Sequence, residues 1–268
     1  MNNMNNQKKA RAAAVSLPLA GAGSAGGQAF GGLHAAAVER IGGWIVQGRI
    51  APGDILSNEQ IAALGLSRSV LREAVKVLAG KGLVESRPRT GTRVRPRAEW
   101  NFLDPDVLSW RFSGAIGEGD VRALFELRAA IEPAAAALAA LRGTPEQLGT
   151  LRTALARMAE VAHDGELFTG PDLLFHQTIL RMTGNELIGS LAALIETALL
   201  MSFRLSIDAP EGQEPSMPLH EAVAEKIAAH DADGARQAMI VLLNDAEKDV
   251  LQVVEGRNRR REAREKRS

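Results

Sequence analysis

Residues 52–94 read PGDILSNEQIAALGLSRSVLREAVKVLAGKGLVESRPRTGTRV, and the change of hydrophobic period within them decides how the rest of the chain is parsed. Pro52-Gly53 marks a turn. A short helix is expected after Ser57 and ends at Gly65. Ser67 is a natural N-cap for the next helix, because its hydroxyl can take an unsatisfied N–H of the first turn. Val70, Leu71, Ala74, Val75 and Leu78 then recur at helical spacing and make one apolar face. Arg68, Arg72 and Lys76 stand at i, i+4 and i+8 on the other. The helix runs to about Ala79, and Gly80 and Gly82 stop it. The period then falls to two. Residues 83–87 and 92–95 alternate around Pro88-Arg89-Thr90-Gly91, the signature of a hairpin.

A helix that buries one face and shows a row of bases on the other can enter a major groove, where Arg meets guanine bidentately. A solvated charged face is the ordinary meaning of such a row. The following hairpin changes that reading, because Arg87, Arg89, Arg93, Arg95 and Arg97 crowd into and just beyond it. Helix–turn–helix followed by a basic hairpin is a winged helix, whose wing lies along the neighbouring minor groove or backbone. A first helix over roughly 33–47 completes a domain at 33–98. Residues 1–32 are Asn-, Ala- and Gly-rich and are expected to be a disordered tail. Lys8, Lys9 and Arg11 ahead of an Ala-rich stretch have elements of a signal peptide, but Pro18 and several glycines interrupt the apolar part.

Downstream the strand signal all but vanishes. Residues 99–119 carry Pro105, Gly114 and Gly117 with Trp100, Phe102 and Trp110, which suggests a linker with buried anchors. Helical stretches follow near 120–142, 145–163, 170–182, 186–207, 216–230 and 233–254, separated by Gly143-Thr144, Asp164-Gly165, Thr183-Gly184-Asn185, the Pro210–Pro215 loop and Asp231-Ala232-Asp233. Six helices with short connections imply an all-α bundle of six to seven helices at 120–255. The expected fold class is therefore mainly α, a winged helix–turn–helix followed by a helical bundle. GRNRRREAREKRS at 256–268 reads as a charged tail with helical tendency and no apolar face, solvated or loosely attracted to phosphates.

Composition narrows the function. The chain of 268 residues has no net charge, yet residues 1–32 carry +3, 33–98 carry +6, 99–255 carry −14 and 256–268 carry +5. A compact basic segment joined to a larger acidic one fits a polyanion-binding module with a separate regulatory partner. The absence of Cys rules out disulfides, a thiolate nucleophile and Cys-based metal sites. Tyr is absent and aromatics make up only 4%, which argues against stacking platforms for single-stranded nucleic acid. Outside the small-residue-rich N-terminus, no stretch of 18 apolar residues lacking a charge or a break is apparent, so no membrane partner is expected.

The run LSRSVLREAVKVLAGKGLVE, within a match over 41–95, resembles the winged helix–turn–helix of GntR-family bacterial transcription regulators. By that resemblance Arg68, Ser69 and Arg72 contact DNA from the recognition helix, and Arg89, Thr90, Gly91 and Thr92 from the wing. The segment SNEQIAALG is slightly shorter than the family's usual second helix. FELRAAIEPAAAALAA at 125–140, DLLFHQTILRMTGN at 172–185 and LHEAVAEKIAAHDADGARQAM at 219–239 resemble the FCD effector domain of the FadR-like subgroup. EWNFLDPDVLSW at 99–110 is similar to the linker of galactonate-type sugar-acid regulators. The resemblance implies a homodimeric, cytoplasmic repressor on a pseudo-palindromic double-stranded operator, released by a small anionic effector such as a sugar acid.

Asp172 and His176 stand at i, i+4 on one helical face, and His220 lies on a later helix able to return to the same core. A carboxylate with two imidazoles suits Zn²⁺, Ni²⁺ or Mn²⁺. Many FCD domains place a fourth ligand where this chain has Leu242, on the apolar stripe Ala235, Met239, Leu242, Ala246. The remaining coordination sites would go to water or effector. The alternative is a buried Asp–His hydrogen bond with no ion. Arg128, on an apolar helix, needs an anionic partner; the resemblance implies that it faces the effector pocket and clamps a carboxylate, and an ion pair with Glu132 at i+4 is the alternative. Asn185 joins the effector set by resemblance, although an Asn in TGN commonly caps or turns. His34, His163 and His230 read as surface residues. A metal-dependent enzyme acting on hydroxy acids is the alternative function, and a non-specific DNA-binding scaffold a third. No nucleophile, phosphate loop or general-base arrangement beyond the ligand set supports an enzyme.

Overall fold

A computed structural model describes residues 28–56, 65, 67–87, 91–114, 116–206 and 216–265. The short helix expected over 57–64, the wing residues Arg89 and Thr90, and nearly all of the expected tail at 1–32 lie outside the described residues.

Helix α1 (Gln28–Val46) begins five residues before the boundary expected at 33 and buries Ala37, Ile41 and Ile45. Helix α2 (Arg68–Gly80) starts where Ser67 accepts the Val70 N–H at 3.3 Å, and it buries Val70, Ala74 and Leu78 against α1. The chain turns at Gly82 (φ +78), where a Cβ would meet the Glu99 carbonyl oxygen at 2.6 Å, so only glycine fits. Strands β1 (Val84–Arg87) and β2 (Gly91–Val94) pair antiparallel with Val84 opposite Val94. Residues 53–56 zip onto the outer edge of β2 through Gly53 N–H to Val94 O (2.9 Å) and Leu56 N–H to Thr92 O (2.9 Å). Residues 91–94 are thereby held from both sides, and the wing is anchored at its base.

The stretch 99–119 is more ordered than the expected linker. It contains a helix, α3 (Pro105–Phe112), capped by Asp104 with Pro105 in its first turn. Val107 and Trp110 enter the core of the winged helix, while Leu108 and Phe112 pack with Leu124, Leu194 and Ala198 of the bundle. Gly42 of α1 makes this possible, since a Cβ there would overlap the Trp110 ring. Lys81 adds a polar tie, with Nζ 2.8 Å from Asp104 Oδ2 and 2.7 Å from Asp106 Oδ2.

The bundle comprises α4 (Glu118–Arg142), α5 (Pro145–Val161), α6 (Gly165–Met182), α7 (Glu186–Gly189), α8 (Ala192–Ser206), α9 (Met217–Ala228) and α10 (Ala232–Glu265). Ala135, Ala136, Ala139 and Ala140 of α4 let neighbouring helices approach closely around Phe168, Phe175, Ile179, Met239 and Leu242. Three expected boundaries are corrected. Helix α6 begins at Gly165 rather than 170, because Asp164 accepts the N–H groups of Glu166 and Leu167 and starts the helix ahead of Pro171. The expected helix at 186–207 breaks at Ser190-Leu191 into α7 and α8. Helix α10 does not stop at Val254 but runs on to Glu265. One apolar window also has no counterpart in the sequence reading. Residues 186–203 have a mean hydropathy of 1.6 and are long and apolar enough by composition to cross a membrane. Here that window is broken by the turn, and it buries Leu194, Ile195, Ala198, Leu199 and Met201 in the protein.

Candidate effector site and nucleic-acid interface

Helix α6 carries Asp172 and His176 one turn apart, and α9 brings His220 to them. His220 Nε2 lies 2.9 Å, and His176 Nε2 3.7 Å, from the same oxygen of Asp172, and the candidate ligand atoms all fall within 4.8 Å of one another. All three residues are under 5% exposed. Phe168 and Phe175 wall the cluster with edge-on contacts to the imidazoles.

The far side of each ring is tied. His176 Nδ1 is 2.5 Å from Glu132 Oε2, and His220 Nδ1 is 2.9 Å from the Ser216 carbonyl oxygen. An ionised carboxylate and a carbonyl only accept, so each Nδ1 carries the donated proton. In the neutral rings both Nε2 atoms then present lone pairs toward an acceptor oxygen of Asp172. Three electron-rich atoms at this separation call for a cation between them, either a proton on Nε2 or a metal ion. A ring fixed through Nδ1 by carboxylate or carbonyl is also how proteins orient metal-binding histidines. The donor set therefore fits a divalent ion.

Arg128 does not stand open to an effector in this structure. Its Nε donates to Glu132 Oε1 at 2.7 Å, the i+4 pairing that the sequence allows, and its guanidinium lies over Phe125. Both partners are buried, so the pair satisfies two charges that would otherwise be stranded. Burial pushes the Glu132 carboxyl up, but the Arg128 guanidinium and the His176 imidazole outweigh this and hold it at about 2. Burial likewise raises the Asp172 carboxyl, and His176, His220 and Arg128 together bring it below its ordinary value. Asn185 is not part of the cluster. It is exposed and caps α7 by accepting the Leu187 N–H at 3.0 Å, because a helix start four residues after α6 needs an acceptor there. Leu242 is buried in the core beside Met239. Of the remaining histidines, His163 and His230 are exposed and His34 partly so, although His230 Nδ1 reaches the Ala140 carbonyl at 2.7 Å.

Glu132 and Ser216 are the residues that sequence reasoning left out of the site. A signal for Glu132 existed, since a carboxylate on the Ala-rich face of α4 has to find buried partners. Ser216 acts through its backbone and left no signal.

On the winged helix, Arg68, Ser69, Arg72 and Lys76 are exposed along α2. Ser69 Oγ is 2.9 Å from the capping Ser67 Oγ, and Glu73 draws Lys76 to 2.9 Å. Gly91 takes φ +85 at the wing turn, and Thr92 shares a 3.0 Å hydrogen bond with Ser86 across the hairpin. Arg93 donates to Gly53 O at 3.1 Å and so braces the wing base.

Two family matches span the two halves. Residues 33–94 match the bacterial regulatory proteins of the gntR family, and residues 123–245 match the FCD domain. The uncharacterized HTH-type transcriptional regulator YieP of Escherichia coli is 35% identical over 203 residues, covering 75% of this chain and 86% of that protein. The chain belongs to the GntR family of bacterial transcription regulators. The galactonate operon transcriptional repressor of E. coli is 31% identical to this GntR regulator over 206 residues, covering 76% of this chain and 90% of the relative. A probable D-xylose utilization operon repressor of Paenarthrobacter nicotinovorans is 31% identical over 195 residues, covering 69% and 77%. Among solved structures, Lar of Listeria monocytogenes superposes with a TM-score of 0.59 at 17% identity, over 85% of this chain and 99% of that one, a likeness of fold. The matched families and these relatives are transcription regulators, so the hydroxy-acid enzyme alternative is set aside.

Proposed function

We propose that this GntR regulator is a cytoplasmic, homodimeric, ligand-responsive repressor whose effector is a small hydroxy-carboxylate of the sugar-acid class. The carrying observation is the tethering of both imidazoles through Nδ1, which turns both Nε2 atoms toward Asp172. Asp172, His176 and His220 would hold Zn²⁺, Ni²⁺ or Mn²⁺, with Glu132 and Ser216 orienting the rings. When bound, such an ion acts as a Lewis acid able to chelate a carboxylate and an adjacent hydroxyl. Charge supports the same ligand class. Asp172, Glu132 and Arg128 leave one negative charge in excess, and a divalent ion converts this to one positive, matched by a monoanion. The 31% identity to a galactonate operon repressor agrees with it. On the DNA side, Arg68, Ser69 and Arg72 would read base edges while Arg89, Thr90, Gly91 and Thr92 follow the backbone from the wing.

A melting experiment tests the reading. The protein is stripped with chelator, then given ZnCl₂, NiCl₂ or MnCl₂, alone and with galactonate or related acids. A ligand that binds the folded state raises the Tm by mass action. The expected result is a rise with metal, a further rise with acid, and loss of the acid's effect in excess chelator. Elemental analysis showing no metal, together with a full acid response in chelator, would leave only the hydrogen-bonded Asp–His pair. Operator release by the same acid separates a sensor from a scaffold.

A further inference from the structure

Helix α10 is longer than the bundle requires. Among the described residues Val254 is its last buried apolar side chain, yet the helix continues to Glu265, about 16 Å further at 1.5 Å per residue. Residues 256–268 hold seven bases and two acids, against a net −14 over 99–255. By helical register, positions 257, 261 and 264 continue the stripe of Val250 and Val254, with 260 on one flank and Glu265 on the other, while Glu262 falls off it.

The place where this arm leaves the bundle is decisive. Val250 and Val254 pack on Val121 and Phe125 at the start of α4, with Ile116 against them. That start follows directly on α3, whose Val107 and Trp110 sit in the core of the winged helix. The arm thus emerges at the end of the effector bundle that adjoins the DNA-binding domain. Arg257 and Arg259 are exposed there. Arg257 and Arg261, and Arg260 and Arg264, are like-charge pairs at i, i+4, set beside the opposite-charge pairs Glu255–Arg259, Arg261–Glu265 and Glu262–Lys266, so the segment keeps helical support while carrying a net excess of bases. A polyanion alongside would neutralise that excess.

We propose that the C-terminal basic arm is a second nucleic-acid contact, which lies along duplex phosphates beside the winged helix and adds affinity without sequence preference. The test uses the full chain with Arg257, Arg260, Arg261 and Arg264 all changed to Gln, which preserves helix propensity. A fourfold Arg→Lys variant is the companion. Binding to a 30-bp random-sequence duplex is followed by anisotropy from 50 to 200 mM KCl. Every phosphate that the variant no longer neutralises flattens the slope of log K against log salt by about 0.9. With two phosphates neutralised per protomer, four per bound dimer, wild-type affinity should fall about a hundredfold more over this range than that of the Gln variant. The Lys variant should keep most of the wild-type slope, even if the Gln variant melts lower. An unchanged slope in the Gln variant overturns the proposal. So does a loss confined to phosphatidylserine vesicles, which would assign the arm to a lipid surface, or a loss confined to single-stranded RNA.

Discussion

Glu132 joins a buried ion pair to the proposed ligand site. It neutralises Arg128 and holds the proton of His176 Nδ1. Its carboxyl sits at about 2 against an ordinary 4.5, so it contributes about 3 kcal/mol that is complete above pH 4.5 and lost as pH falls toward 2. The sign follows from a depressed folded-state value, since the unfolded chain takes up the proton first. Urea midpoints across pH 2–6 should therefore fall more steeply in wild type than in Glu132→Gln. At neutral pH that substitution should cost about 3 kcal/mol, because it strands a buried guanidinium. Metal affinity, read by calorimetry with Zn²⁺, should fall about 10–100-fold as the ring loses its tether. Equal Zn²⁺ affinity in the variant would remove Glu132 from the site. On the DNA side, Arg72→Ala should cost about 1–3 kcal/mol of discrimination between operator and random duplex, measured in competition.

Among elements, α3 carries the connection between the two domains. It gives Val107 and Trp110 to one core and Leu108 and Phe112 to another. The close seat of Trp110 on Gly42 leaves no room for a methyl group. Gly42→Ala should destabilise the winged helix by about 1–3 kcal/mol through overpacking, despite alanine's better helix propensity. Denaturation followed by tryptophan fluorescence checks this, and a stabilised variant would contradict the packing. Lys81 ties the end of α2 to Asp104 and Asp106, and Lys81→Met would leave two carboxylates facing each other. Limited proteolysis across 95–105 should then quicken while DNA affinity stays within a few fold.

For the whole molecule, segregated charge and separate cores for the winged helix and the bundle fit the proposed reader and sensor on one chain. A single recognition helix spans too few bases for a unique site, so two-fold pairing on a pseudo-palindrome is expected. Ultracentrifugation with operator titration tests it, and monomers that bind tightly at micromolar concentration would refute it. The sensor end makes its own prediction. Leu242, which the family resemblance sets at the fourth-ligand position, is an apolar core residue, so the proposed metal binding should be weak and reversible. Leu242→His should tighten it if this face of α10 reaches the cluster. Chelator should lower effector affinity more than it lowers the Tm.

What sequence alone determined was whatever local period and residue chemistry encode. Helix α2, its Ser67 cap, the hairpin and the pairing of Asp172 with His176 all follow from spacing within a few residues. Tertiary structure decided what depends on partners distant in the chain. Helix α3 is short and its apolar residues serve two cores, so no single amphipathic face announced it. The early start of α6 turned on one capping carboxylate outweighing a proline. Arg128 had two acceptable anions, and only the packing of α4 against α6 brought Glu132 between the guanidinium and His176. Ser216 joined through a backbone carbonyl, which carries no residue identity. Local period is written in neighbouring side chains, whereas the protonation and aim of a buried imidazole depend on what the fold places behind it.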